Sequence, residues 1–182
     1  MNVIGIAGYS GAGKTQLIEA MIPVFKARGQ RVSVVKHAHH RFDIDHPGKD
    51  SHRHREAGAF EVVIASSHRL ALVREFEQAA ELSVHHLIAE LWDGVDWVLV
   101  EGFRHADLPK IEVWRAATGH TAHYPGDAFV AAIATDSPAQ LPQATQRPVL
   151  DLNQPAAVAD WLLAQGARFA YDPSRHHPAA TA

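Results

Sequence analysis

Cysteine is absent from the 182 residues. Its absence excludes disulfides, thiolate metal sites and cysteine nucleophiles, and it fits a reducing compartment. Long apolar runs are absent as well. Nothing approaches the roughly 20 residues of a membrane-spanning helix, so no membrane contact is expected. Neither sign of charge is in excess: 17 Lys and Arg against 20 Asp and Glu give a formal net charge of −3. No global positive field favours nucleic acid, and none is expected as a partner. The first residues carry no basic run ahead of an apolar segment, so no secretory signal is read there and a cytoplasmic chain is expected. A hydrophobic content of 47% over this length is enough to bury one core. The unusual number is 14 histidines.

What is present is arranged around Gly8-Tyr9-Ser10-Gly11-Ala12-Gly13-Lys14-Thr15. It matches G-x-x-x-x-G-K-[ST], the phosphate-binding P-loop. Val3 to Ala7 before it is short and apolar, as in a buried parallel strand. Gln16 to Arg28 after it carries Leu17, Ile18, Met21, Val24 and Phe25 at helical spacing, with Gly29 as its stop. Pro23 is expected to kink or shorten that helix. Backbone N–H groups from Ser10, Gly11, Ala12 and Gly13, with the helix N-terminus, face an anion. Lys14 is expected to reach the β- and γ-phosphates, and the Thr15 hydroxyl to bind Mg²⁺.

Asp96 to Phe103 is the second informative stretch. Its aliphatic run ends in Glu101 and Gly102, the Walker B pattern of a buried strand that delivers a carboxylate to Mg²⁺. Between the two motifs, Arg31–Lys36 reads as a strand, and the polar segment 37–56 begins where that strand ends, on the side where α/β sheets bind ligands. A short helix capped by Asp50 or Ser51 is expected there, running to Ala57. Glu61–Ala65 and Leu70–Phe76 read as a hairpin that interrupts the βα alternation. A helix over 81–91 and strands over 111–115, 129–134 and 149–152 follow. A last helix over Pro155–Ala164 is expected to be capped by Asn153. The sum is an α/β fold: one domain over 1–170 with a disordered tail over 171–182. Trp92, Trp97, Trp114 and Trp161 read as core or interface residues.

Six histidines, at 37, 39, 40, 46, 52 and 54, share the polar segment with Lys36, Arg41, Lys49, Arg53 and Arg55. The interleaved cations would repel a metal ion, so anion binding is the better reading. Pairing with Asp43, Asp45, Asp50 and Glu56 is the alternative. Asp43 or Asp45 is also placed, by analogy with other P-loop proteins that carry an acid after the second strand, to position Mg²⁺-bound water. Thr135-Asp136 ends a buried strand. A carboxylate at Asp136 accepts from guanine N1–H and N2–H₂, a donor pair adenine lacks, although the full N-K-x-D pattern is absent.

Together, GYSGAGKT, VVKHAHHRFDID, HPGKDS, RHREAGA, LVEGF and PKIEV carry a resemblance. The chain resembles the MobB family of molybdopterin-guanine dinucleotide biosynthesis adaptor proteins, from Met1 to about Asp136. His52 departs from it, standing where an aromatic is expected. The resemblance implies a P-loop GTP-binding fold, with a mostly parallel sheet flanked by helices. It also implies a homodimer, for which the antiparallel hairpin and the strand over 111–115 are the expected contacts. GTP and Mg²⁺ are the implied cofactors, with a weak GTPase and a helper role beside a molybdopterin guanylyltransferase of the MobA type. Lys49, Arg53, Arg55, Arg104 and Lys110 would then form a second anion site, for the phosphate of molybdopterin or its guanine dinucleotide. Without the resemblance, a small-molecule or nucleotide kinase on the same loop is the alternative.

Overall fold

Regular structure begins at once, because the first residues alternate apolar side chains that two different layers can cover. In chain order the elements are β1 (Asn2–Ala7), α1 (Lys14–Ala27), β2 (Val32–Lys36), α2 (Asp50–Glu56), β3 (Glu61–Ala65), β4 (Leu70–Arg74), α3 (Val84–Ala89), β5 (Trp97–Glu101), β6 (Lys110–Trp114), β7 (Val130–Thr135), β8 (Val149–Asp151) and α4 (Pro155–Ala164). This computed structural model describes residues 1–38, 42–78 and 80–176. His39, His40 and Arg41, named above, lie outside the described residues, as does the tail from 177. The chain divides into two compact units, Met1–His37 with Ser83–Ala182, and Ala38–Leu82, where one domain was expected from the sequence.

The larger unit holds a six-stranded parallel sheet in the order β2-β5-β1-β6-β7-β8. Period-two alternation divides its side chains between two layers. Ile4, Ile6, Trp97 and Leu99 pack with Leu17, Ile18, Met21 and Phe25 of α1 and with Val158 and Leu162 of α4. Val3, Val98 and Val100 face the other way, onto Val84 and Ile88 of α3 and onto Leu108. Each such side chain contributes about 1.5–3 kcal/mol on full burial. The central strands are therefore rigid, and what hangs from their carboxyl ends is well placed. Ile6 of β1 pairs with Glu101 of β5, which sets the phosphate loop and the acid side by side.

Several expectations change on contact with the structure. β6 is no outlying strand for pairing between chains. It is wholly buried between β1 and β7, because both its faces and both its edges already have partners. α1 runs through Pro23 to Ala27, held by its buried stripe, so the proline does not end it. Gln154, with no side-chain hydrogen bond, stands at the start of α4, whereas Asn153 takes its N–H to Asp151 in a turn. Lys49 precedes α2, with Asp50 in its first turn. Trp92 is 78% exposed, unlike the other three tryptophans. Residues 171–176 are ordered: Tyr171 N–H donates to Met1 O at 3.0 Å, and the segment ends in a turn at Pro173–Arg175.

The smaller unit contains α2 and the antiparallel hairpin β3–β4, in register from Glu61↔Arg74 to Ala65↔Leu70. Ser66 makes the turn, its hydroxyl accepting from Arg69 N–H at 3.1 Å. Arg74 closes the open end on Glu61 at 2.7 Å. Phe60, Val63, Ile64, Leu70, Leu72 and Phe76 are all exposed. Among the described residues, no helix is long and apolar enough to cross a membrane.

Candidate functional site

The loop between β1 and α1 leaves no room for a side chain at position 8. Gly8 has φ 138°, and a Cβ there would stand 2.3 Å from Val113 O. The phosphate loop thus lies directly against β6. Lys14, at the start of α1, donates its ammonium to Tyr9 O at 2.8 Å. Burial lowers the Lys14 pKa; Glu101 pulls it back up and Lys36 pushes it further down. An arriving phosphate would favour the charged form.

Thr15 Oγ1 donates to Glu101 Oε1 at 2.6 Å, and Lys36 Nζ lies 3.2 and 3.1 Å from the two Glu101 oxygens. The sequence-derived pair, Thr15 and Glu101, is therefore brought together. Lys36 joins them because β2 and β5 are neighbours, in the register Lys36↔Glu101. After Glu101 the chain turns sharply. Gly102 has φ 91° and Phe103 φ 46°, an uncommon conformation for a bulky residue. The Phe103 ring stacks on His37 at 4.6 Å, a contact that helps hold the turn. The hydroxyl–carboxylate pair consists of hard oxygen donors, as Mg²⁺ requires.

Asp136 follows β7 and is not alone. Its Oδ2 lies 3.0 Å from Arg115 Nη1, and its Oδ1 accepts from Ser137 Oγ at 2.6 Å. Arg115 also donates through Nε to Ala12 O at 3.0 Å. One guanidinium thus ties the phosphate loop to the residue expected to read the base. Nothing in the sequence singles out Arg115, which follows an alternating strand as any surface arginine would.

Tyr9, inside the loop, stacks on His120 and His123 at 4.2 and 4.9 Å, with Arg104 over its ring at 5.3 Å. Glu112 of β6 anchors this flank by accepting from the N–H groups of His123 and Tyr124 at 2.7 Å each. Burial raises the Glu112 carboxyl above its ordinary 4.5, against the pull of those two N–H groups. The native state then holds the proton more tightly than the unfolded chain does. The linked stability is full below pH 4.5 and is lost as pH rises through the native value. Glu112→Gln removes this titration. It also turns an amide donor toward a backbone donor, at a cost of about 1–3 kcal/mol. In urea unfolding, the stability lead of wild type over this variant is expected to be widest in acid and to narrow toward neutral pH. A lead that does not vary with pH would contradict the assignment.

The remaining candidates fare differently. Asp45 Oδ1 accepts from His46 N–H and Ser51 Oγ, each at 2.9 Å, and Oδ2 lies 3.6 Å from Arg55 Nε. Burial opposes its ionisation, but Ser51, His46 and Arg55 outweigh that and hold Asp45 below the usual carboxylate value. Arg55 also grips Asp43 through two nitrogens and meets Glu75 at 3.3 Å. It is enclosed by acids and does not offer its charge outward. Lys110 is buried, with its ammonium on Arg104 O, Ala106 O and Asp127 Oδ2. All three protons are used, so Lys110 holds the 102–109 connection rather than an external anion. Lys49 and Arg53 are exposed, Arg53 only 3.8 Å from Asp50. Arg104 is exposed beside Tyr9.

The family described as molybdopterin guanine dinucleotide synthesis protein B, MobB, matches residues 3–136. That span takes in the phosphate loop, Glu101 and Asp136. The chain belongs to the MobB family. It is 38% identical over 163 residues to the molybdopterin-guanine dinucleotide biosynthesis adapter protein of Escherichia coli (strain K12), covering 88% of this chain and 91% of that one. The protein of the same name from Haemophilus influenzae (strain ATCC 51907 / DSM 11121 / KW20 / Rd) is 40% identical over 163 residues, covering 88% and 86%. The crystal structure of a MobB homolog from Bacillus stearothermophilus superposes with a TM-score of 0.63 at 25% identity, covering 92% of this chain and 99% of that one. Bacillus subtilis MobB superposes at 0.69 with 21% identity, covering 91% and 98%, and shares the fold. MobB membership sets the chain apart from a kinase built on the same loop.

Proposed function

We propose that the chain binds Mg²⁺–GTP at Gly8–Thr15 and serves as an adapter in molybdopterin guanine dinucleotide synthesis. It would work in the cytoplasm beside a guanylyltransferase of the MobA type. The observation that carries this is the 2.6 Å contact between Thr15 Oγ1 and Glu101 Oε1, at the start of α1 and next to Lys14. Thr15 and Glu101 would hold Mg²⁺. A bound Mg²⁺ there would supply positive charge to offset that of the nucleotide's phosphates. Lys14 would exchange Tyr9 O for phosphate oxygen. Lys36, on both Glu101 oxygens, would keep that carboxylate oriented. Asp136 would read guanine, with Arg115 fixing its distance from the phosphate loop. Hydrolysis on this reading is weak and secondary to binding.

With Lys110 and Arg55 engaged internally, a second anion site for the molybdopterin phosphate would fall to Lys49 and Arg53 of the smaller unit. Replacing Lys49 and Arg53 together by Ala is expected to leave GTP affinity within a few-fold. The same variant should lose molybdopterin binding and the stimulation of the guanylyltransferase. Retention of both activities would remove this site from the account.

A homodimer through the hairpin is supported by Val63 and Leu72. These are register partners on one face of β3–β4, exposed by 55% and 41%, and an isolated two-stranded ribbon is only marginally stable. Light scattering at micromolar concentration should give a dimer mass for wild type and a monomer mass for Val63→Glu/Leu72→Glu. A monomeric wild type would rule this arrangement out.

A further inference from the structure

Away from the phosphate loop, three distant parts of the chain converge within the larger unit. His85 lies on α3, Asp107 lies in the β5–β6 connection, and His176 follows the turn at Pro173–Arg175. His85 Nε2 is 2.8 Å from Asp107 Oδ1, and His176 Nδ1 is 3.3 Å from Asp107 Oδ2. One donor atom from each residue falls within 4.8 Å of the others. The two imidazoles stack with centroids 3.8 Å apart and planes at 8°, and each places a nitrogen against the Asp107 carboxylate; one ring must tilt out of the stack for both lone pairs to meet a single ion. Behind them, Tyr171 OH lies 2.9 Å from His85 Nδ1. His85 is buried whereas Asp107 is exposed, so the cluster is closed on one side and open to water on the other.

We propose that His85, Asp107 and His176 bind a divalent first-row transition ion, of which Zn²⁺ is the best match, and that the ion clips the C-terminal segment to α3 and the β5–β6 connection. Two imidazoles, one carboxylate and an open fourth position form a zinc-type donor set. It differs from the all-oxygen pair at Thr15 and Glu101, so the two sites select different ions. Donors about 2.0–2.1 Å from a tetrahedral ion stand about 3.3 Å from one another. The His176–Asp107 separation has this value at Oδ2, whereas His85 meets the other oxygen, Oδ1, at 2.8 Å, so an ion held by both imidazoles requires the carboxylate to turn or to bind through both oxygens.

Tyr171 supplies the outer partner that a metal-bound imidazole needs on its second nitrogen. Without the ion, the Nε2–H tautomer of His85 would donate to Asp107 and accept the Tyr171 hydroxyl proton at Nδ1. With the ion, the imidazole proton sits on Nδ1 and is donated to the Tyr171 oxygen, and the Nε2 lone pair goes to the metal. The proton count on His85 does not change. A purely hydrogen-bonded triad would use the same contacts and bind nothing, so the two cases are separable.

The untagged full chain, stripped with EDTA, is titrated with ZnCl₂ against a chromophoric chelator. One ion per chain is expected at this cluster, undisturbed by millimolar Mg²⁺. His176→Ala and His85→Gln should each weaken it by at least tenfold, and Tyr171→Phe by about 10–100-fold. Bound Co²⁺ should show visible d–d absorption that His85→Gln abolishes. His176 lies on the terminal segment, so its variant keeps the fold, as far-UV dichroism will show. Replacing His37, His39, His40, His46, His52 and His54 by Ala should leave this ion in place. The proposal is overturned if a folded wild type takes up no Zn²⁺, or if uptake is unchanged by His176→Ala and His85→Gln. The cluster is then a hydrogen-bonded latch only.

Discussion

Lys14→Ala is expected to weaken Mg²⁺–GTP binding by about a hundredfold or more. The ammonium sits 2.8 Å from Tyr9 O, partly buried at the N-terminus of α1, where any bound phosphate must approach. Charge-assisted hydrogen bonds contribute about 1.5–3 kcal/mol each. Losing two of them, one to each terminal phosphate, amounts to about 3–6 kcal/mol, or a factor of roughly 10²–10⁴. The fold should be unaffected, because the side chain's one hydrogen bond is to a loop carbonyl and α1 keeps its buried stripe. Calorimetry should therefore show lost affinity at unchanged melting temperature. Full affinity in this variant would remove the phosphate loop from the account.

The second large effect is structural. In Gly8→Ala the new methyl would stand 2.3 Å from Val113 O at φ 138°, so either the loop or β6 must move. β6 is buried between two strands and does not yield cheaply. A loss above about 3 kcal/mol is expected, from overpacking and backbone strain together, which for a chain of this size is a fall of about 10 °C in melting temperature. Gly11→Ala is the control. Gly11 has φ 78° but nothing within 4 Å of a Cβ, so only the conformational cost of about 1 kcal/mol applies. Similar losses in the two variants, read by thermal unfolding, would mean that the close approach to Val113 is not what position 8 requires.

These contrasts show what the sequence reveals and what it hides. The phosphate loop is legible because its glycines, Lys14 and Thr15 are contiguous, and because Val3–Ala7 can only be a buried strand. Glu101 is legible for the same reason: an acid at the end of three aliphatics. The hairpin is announced by Ser66–Arg69 between two β-rich runs. The roles of Arg115, Lys110 and the His85–Asp107–His176 cluster are not announced, since each depends on partners far off in the chain. Lys110 reads as a surface cation until the 102–109 connection is seen to wrap its ammonium in carbonyls. β6 reads as an extra strand until the sheet order places it at the centre. Period and composition report which face is apolar, but strand order is settled by three-dimensional packing.

The most direct test of the central claim is calorimetric titration of the wild-type chain with GTP and with ATP, in Mg²⁺ and again in EDTA. The account expects one GTP per chain, binding that depends on Mg²⁺, and a clear preference over ATP. Equal binding of ATP would remove Asp136 as the base-reading residue. No GTP binding in Mg²⁺, or the same affinity in EDTA, would contradict the assignment of Thr15 and Glu101 as an Mg²⁺–nucleotide site.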